Sequence, residues 1–270
     1  VTNLMHVHGV GPQRRANDTP KNHSLRLSSF IPEGISPGLQ CRAHWRYMTL
    51  TETLLELSRH HTAALSPHDR ADFEDELDRL RMMRVAEEGL GVGDYLPDFA
   101  LKDGSGRTWT SSELLDRGPL VLALFRGDWC PYCNLTMAAL KEARPAIEAL
   151  GATAVGVMPD QREHVTRTAA RHGIGYLLLS DPANAFARTC GLAYDLSPGY
   201  IRMHRERGRD LPAQHGDSTW RLPVPAVFVV EPSARVAFAF ADVDPSRWPD
   251  PEALLASLQE LRDAHALLNR

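Results

Sequence analysis

Leu120-Val121-Leu122-Ala123-Leu124-Phe125-Arg126-Gly127-Asp128-Trp129-Cys130-Pro131-Tyr132-Cys133 decides how the rest of the chain is read. Its first six residues are an unbroken apolar run, the pattern of a strand buried on both faces. Beyond Cys133, Leu135 is followed by Met137, Leu140, Ala143, Ile147 and Leu150, the last five three or four apart, which predict an amphipathic helix. Cys130 therefore stands where a buried strand hands the chain to a helix N-terminus, and Pro131 suits the first helical position. Unpaired N–H groups and the positive end of the helix dipole favour a thiolate there. Free cysteines titrate near pH ~8.5, but Cys-x-x-Cys motifs at helix starts fall to about 3.5–7. Cys133, one turn on, can close a disulfide, so the sharp reading is a redox dithiol. The bland reading is two core cysteines. Cys41 and Cys190 form no second pair at metal-ligand spacing.

The 270 residues, 43% of them hydrophobic, suffice for one substantial core and a small appendage. A formal net charge of −4 leaves no electrostatic footprint for nucleic acid. No apolar run reaches the ~20 residues that span a bilayer. Residues Val1 to Arg15 hold no hydrophobic signal core, so the expected location is cytoplasmic. In that reducing compartment a cysteine pair acts as a catalyst or a sensor.

Residues 1–47 lack any helical or alternating period and are broken by Gly9, Gly11, Pro12, Pro20, Pro32, Gly34, Pro37 and Gly38. They are expected to be a disordered extension, or an upstream stretch that is not translated, with Met48 as the natural start. His6 and His8 could bind a metal, but a solvated tail is the simpler reading. Residues 48–90 read as a helical appendage. One helix follows Met48, and a second, capped by Ser66-Pro67, runs to about Glu88 and stops at Gly89. Phe73, Leu77, Leu80 and Val85 give the second helix one face for the main domain or a partner chain.

Residues 91–268 alternate strand and helix. Asp103-Gly104 marks a hairpin, and a short helix from Ser111 leads to the central strand. Pro145 is expected to kink the cysteine helix. A strand covers Ala152 to Val157. Asp160 with Glu163 makes a capping pattern for a helix ending at Gly173. Tyr176 to Leu179 is a strand, and Asp181-Pro182 opens a helix with Cys190 packed at its end. Residues 194–222 are polar, with Arg202, His204, Arg205, Arg207, Arg209, His215, Asp217 and Trp220. They read as a solvated loop, with a lid or substrate-contact loop as the alternative. A closing hairpin, Ala226 to Val230 with Arg235 to Ala241, and a helix from Pro251 complete the chain. The architecture expected is α/β with a mixed central sheet and helices on both faces.

With Trp129-Cys130-Pro131-Tyr132-Cys133 on strand-then-helix and Val224-Pro225-Ala226 before the closing hairpin, the chain resembles thioredoxin-fold proteins. Closer still, three segments resemble the peroxiredoxin-like branch of the alkyl hydroperoxide reductase / thiol-specific antioxidant family. They are Gly93-Asp94-Tyr95-Leu96-Pro97-Asp98-Phe99, Phe125 to Asn134, and Leu222 to Ala226 with Phe238-Ala239-Phe240. The resemblance runs from about Met48 to Arg262. It implies a thioredoxin-like fold and a thiol–disulfide oxidoreductase with antioxidant or peroxidase activity, acting on peroxides or disulfides. No cofactor is implied. The electron donor implied is thioredoxin-type or a small thiol, without nucleic acid or membrane, and a homodimer is compatible with it.

Two departures bear on the chemistry. Peroxiredoxins present Pro-x-x-x-Thr-x-x-Cys and a distant arginine. On that pattern Cys133 takes the peroxidatic place, Cys130 replaces the threonine and Arg126 replaces the proline, while the arginine's place falls near Pro225. On thioredoxin, Cys130 attacks, Cys133 resolves, and the buried acid falls at Leu124. Cys130 is the expected nucleophile, being at the helix start and the more exposed. Arg126 is the expected thiolate stabiliser, Trp129 supports the motif, and Pro225 is implied to be a cis-proline shaping the substrate groove. The rival reading is a non-catalytic redox sensor or binding module whose dithiol state controls its contacts.

Overall fold

The computed structural model describes residues 48–268. The expected extension 1–47, with His6, His8 and Cys41, lies outside the described residues. In chain order the elements are α1 (Leu50–Ala64), α2 (Pro67–Met82), β1 (Ala100–Asp103), β2 (Thr108–Thr110), α3 (Ser111–Leu115), β3 (Leu120–Leu124), α4 (Pro131–Ala149), β4 (Thr153–Met158), α5 (Arg162–His172) and β5 (Leu177–Ser180). After these come α6 (Ala185–Thr189), β6 (Ala193–Asp195), α7 (Pro198–Glu206), α8 (Leu211–His215), β7 (Arg221–Pro223), β8 (Ala226–Val230), β9 (Val236–Ala241) and α9 (Pro251–Leu268).

Seven strands form one mixed sheet in the order β2-β1-β5-β4-β3-β8-β9, and β6 pairs with β7 apart from it. The centre, β3-β4-β5, is parallel; β8 joins β3 antiparallel, with Leu124 opposite Ala226. The apolar run is buried on both faces, as its composition requires. Leu120, Leu122 and Leu124 enter one hydrophobic layer with Leu77, Leu80, Phe186 and Tyr200; Val121 and Ala123 enter the other with Leu54, Met137, Ile147 and Leu258. Alternate strand residues point to opposite faces, so a strand with helices on both sides must be apolar throughout.

The N-terminal helices are built into this core. Leu54 of α1 and Leu80 of α2 are both fully buried, one in each layer. Thr49 caps α1 with a reciprocal capping box to Glu52, and Ser66 caps α2 through the Asp69 N–H.

Three local expectations need correction. The second helix ends at Met82, not near Glu88: Arg84 turns left-handed (φ 53°) and the Val85 N–H returns to the Leu80 carbonyl at 3.4 Å. That closure satisfies the terminal carbonyls where the apolar face runs out, since Met82 and Met83 are exposed. Helix α4 continues through Pro145 as one element. Pro145 lies on its exposed side, so the missing hydrogen bond is lost at the surface and not in the core. Gln161, not Asp160, is the N-cap of α5; the Asp160 side chain is turned inward. Residues 194–222 are not a solvated loop but two helices and two strands. Ser197 caps α7 through the Tyr200 N–H, Asp210 caps α8 through the Ala213 N–H, and Tyr200, Met203, Leu211 and Leu222 are core residues.

Helix α2 holds α7 in place. Arg202 bonds Asp72, and also Asp69 at 3.3 Å; Arg207 reaches the other Asp69 oxygen at 3.2 Å. Buried Glu76 accepts from Arg79 at 3.0 Å and from the Ser197 N–H at 3.3 Å. Helix α2 and the α7–α8 segment thus pack in one layer, with Leu120, Leu122 and Leu124 of β3.

Candidate active site

The chain leaves β3 through Phe125, whose N–H still bonds Val157, and turns at Gly127. Gly127 has φ 136°, and a Cβ there would lie 2.6 Å from Trp129 Nε1 and 3.2 Å from Asp160 Oδ2. Only glycine fits. The Cys130 N–H closes the turn on the Gly127 carbonyl at 3.2 Å, and Asn134 braces the Asp128 carbonyl at 2.9 Å. Cys130 is the N-cap of α4, with Pro131 at the first helical position.

Both thiols are free, as is Cys190. The expectation that Cys130 is the more exposed does not hold. Cys130 is 1% accessible and Cys133 3%, both packed in the hydrophobic layer of Leu54, Met137 and Leu258. What separates the sulfurs is electrostatics. Burial pushes the Cys130 thiol up, but the Cys133 S–H, the Arg126 guanidinium and the backbone N–H groups of Cys133 and Tyr132 outweigh it, so its pKa falls below the ordinary cysteine value. Burial and the neighbouring Cys130 charge drive Cys133 the other way, well above that value. The Arg126 N–H lies 3.4 Å from Cys133 Sγ. The surroundings thus favour ionisation of Cys130 over Cys133.

Arg126 is 2% accessible, and no carboxylate among the described residues pairs with it. Its Nη2 donates to the Tyr200 hydroxyl at 2.9 Å, its Nε has no partner, and its guanidinium lies 5.1 Å from the Trp129 ring centre. Burial disfavours its charge, but Tyr194, Tyr200 and the Cys130 thiolate overcome that and hold it protonated. An unpaired buried cation is costly, and a negative charge on Cys130 would offset that cost.

Several neighbours were not readable as site residues. Tyr200 of α7 positions Arg126. His204 stands edge-on to Trp129 (4.7 Å between ring centres) and to Tyr200 (4.9 Å). Burial, then Arg126, Arg209 and Arg207, pushes His204 down to about 2, so it is a neutral aromatic spacer at working pH. Tyr132, inside the motif, meets His61 Nδ1 of α1 at 3.1 Å. Asp160 is buried beside the Gly127 turn and accepts from Gln214 of α8. Burial raises its carboxyl to about 7, with that hydrogen bond opposing and Asp128 adding to the shift. The Ser197-Pro198 cap followed by Tyr200, Met203 and His204 at helical spacing was the available signal for α7. Cys190 is buried at the end of α6, its thiol pushed up to about 12 by burial.

The β3–β8 register places Pro225, just before Ala226, level with Phe125 at the mouth of the motif, and its carbonyl accepts from the Asp242 N–H at 3.2 Å. Pro225→Thr is expected to slow thiol–disulfide exchange at the dithiol roughly tenfold or more, since a shift of about 1 Å near reacting atoms can cost about 10²-fold. Far-UV circular dichroism should stay unchanged. An unaltered exchange rate would remove Pro225 from the site.

No metal-ligand group of three or more His, Cys, Asp or Glu side chains occurs among the described residues, and no described helix is long and apolar enough to cross a membrane.

The sheet order, with a free Cys-x-x-Cys at the start of the helix after the central strand, defines a thioredoxin-like fold. Residues 92–239 match the AhpC/TSA family, and the chain belongs to it as a peroxiredoxin-like protein. It is 28% identical to the chloroplastic peroxiredoxin Q of Gentiana triflora over 107 residues, 40% of this chain and 49% of that one. It is 27% identical to the peroxiredoxin Bcp of Bacillus subtilis over 98 residues, 36% and 62% of the two chains. The chain thus spans about half the length of the first of these relatives. Among solved structures, peroxidoxin BcpB of Mycobacterium tuberculosis shares the fold at a TM-score of 0.50 and 21% identity, over 63% of this chain and 97% of that one. PrxQ of Xylella fastidiosa does so at 0.50 and 20%, over 66% and 98%.

Proposed function

We propose that the protein is a thiol–disulfide oxidoreductase with peroxiredoxin-type antioxidant activity, reducing peroxides or disulfides through Cys130 and Cys133. The observation that carries this is a free Cys-x-x-Cys at a helix start beside the buried Arg126, which has no carboxylate partner among the described residues. In the peroxide step the thiolate attacks one oxygen of the O–O bond. An S–O bond forms, the O–O bond breaks, and the departing alkoxide takes a proton to become an alcohol. Cys133, kept protonated, then attacks the sulfenic sulfur of Cys130. An S–S bond forms, and hydroxide leaves with the Cys133 proton as water. An external thiol, thioredoxin-type or small, returns the dithiol. Family membership supports this reading, and a cytoplasmic setting suits it.

Burial of both sulfurs favours a second reading, a redox sensor that oxidises once and changes its contacts. Peroxide consumption with thioredoxin and its reductase, run beside a protein-disulfide reduction assay, separates the two. The proposed activity requires many equivalents consumed per chain in at least one assay. Oxidation that stops at one equivalent in both would leave only the sensor.

A further inference from the structure

Beside Trp129, the α7–α8 segment forms an open cavity of about 500 Å³ lined by Arg205, Gly208, Arg209, Asp210, Pro212 and Trp220. The neighbouring arginines are already engaged: Arg202 with Asp69, Asp72 and Glu206, and Arg207 with Asp69. Arg205 and Arg209 have no carboxylate partner among the described residues. Their guanidiniums lie on aromatic rings instead, Arg205 5.0 Å from the centre of Trp220 and Arg209 5.2 Å from that of Trp129. The one acid in the lining, Asp210, accepts the Ala213 N–H as the cap of α8. Two uncommitted cations and an aromatic wall suit a carboxylate on a short apolar body. Trp129 immediately precedes Cys130, so Arg209 on its ring sets this cavity beside the dithiol.

We propose that this cavity binds a small carboxylate-bearing thiol, the reductant that reopens the Cys130–Cys133 disulfide. The inference rests on the dithiol cycle above and names its donor. The redox state decides between reductant and oxidant. In the reduced protein an ionised Cys130 carries a negative charge beside these arginines. Disulfide formation removes that anion and leaves the guanidiniums uncompensated, so attraction for an anion is greatest in the state that must meet the reductant. The size of the cavity and the burial of both sulfurs fit a narrow molecule.

In the step itself the donor thiolate attacks Cys130 Sγ. The new bond joins donor sulfur to Cys130, the Cys130–Cys133 bond breaks, and Cys133 leaves with the electron pair beside the Arg126 N–H and takes up a proton. A second donor thiolate attacks the donor sulfur of the mixed disulfide, giving donor disulfide and the Cys130 thiolate. Two donor thiols are oxidised and one protein disulfide is reduced.

The test uses the full chain, oxidised with hydrogen peroxide, with disulfide formation verified by mass. Its reduction by 3-mercaptopropionate is compared with that by 3-mercapto-1-propanol, each rate expressed per donor thiolate. The carboxylate thiol should be faster by about tenfold at low salt, and the margin should shrink at high salt. Arg209→Gln and, at an exposed position, Arg205→Gln should each cut the ratio about threefold or more. Equal rates for the two thiols, or a preference that survives both substitutions, would overturn the proposal. A chain that forms no disulfide overturns the dithiol cycle as well, and the mass distinguishes that outcome from a disulfide reduced without preference.

Discussion

Cys130→Ser should abolish peroxide and disulfide turnover, a loss of about 10³-fold or more as for removal of a catalytic nucleophile. Cys133→Ser should still trap a sulfenic-acid probe, on Cys130. The two sulfurs are equally hidden, so exposure cannot assign the nucleophile. The charges do: Arg126 and two backbone N–H groups of the first helical turn favour the Cys130 thiolate, while that thiolate disfavours ionisation of Cys133. With one equivalent of peroxide and the probe present, Cys130→Ser should remain largely unlabelled. Labelling of Cys133 in Cys130→Ser, with none on Cys130 in Cys133→Ser, would make this a peroxiredoxin whose usual threonine has become the resolving cysteine.

Arg126→Met should raise the Cys130 pKa by about 1–3 units, the effect of losing a close opposite charge. Alkylation of Cys130 at neutral pH should slow about tenfold or more, because less thiolate is present. The sign for stability follows from the same shift. In the folded reduced protein the Cys130 pKa lies below its unfolded value, so its contribution is full above the unfolded pKa and is lost as pH falls through the folded one. Wild type should therefore gain stability over Arg126→Met as pH rises through that window, and the difference should be smallest in acid. Arg126→Lys keeps a charge but not the planar fork that reaches Tyr200, and its alkylation midpoint should fall between the two. A midpoint unchanged in Arg126→Met would show that the helix N-terminus alone sustains the thiolate.

Part of this site was visible in residue order. The apolar run, the Cys-Pro-Tyr-Cys segment at a helix start and the candidate role of Arg126 all depend on local pattern, and strand-then-helix is local. The α7–α8 segment was not visible. Its arginines, spaced closely between glycines, look like a solvated stretch until α2 supplies Asp69 and Asp72 to receive two of them. The partners are more than a hundred residues apart, and no periodicity spans that distance. Asp160 misled for a related reason: Asp followed three residues later by Glu reads as a cap, but Gln214, more than fifty residues on, draws the carboxylate inward.

By itself, the sequence determined the fold class, the central strand buried on both faces and the placement of the dithiol at the start of α4. Those follow from hydrophobic period, proline at the first helical turn and cysteine spacing, which act over a few residues. Only the tertiary structure decided that Cys130 is covered, that Arg126 is buried with a tyrosine in place of a carboxylate, and that Arg205 and Arg209 remain uncommitted. Burial and ion pairing depend on which distant side chains arrive at the same point. In a low-dielectric interior that arrival sets whether a charge is compensated, and so which sulfur ionises.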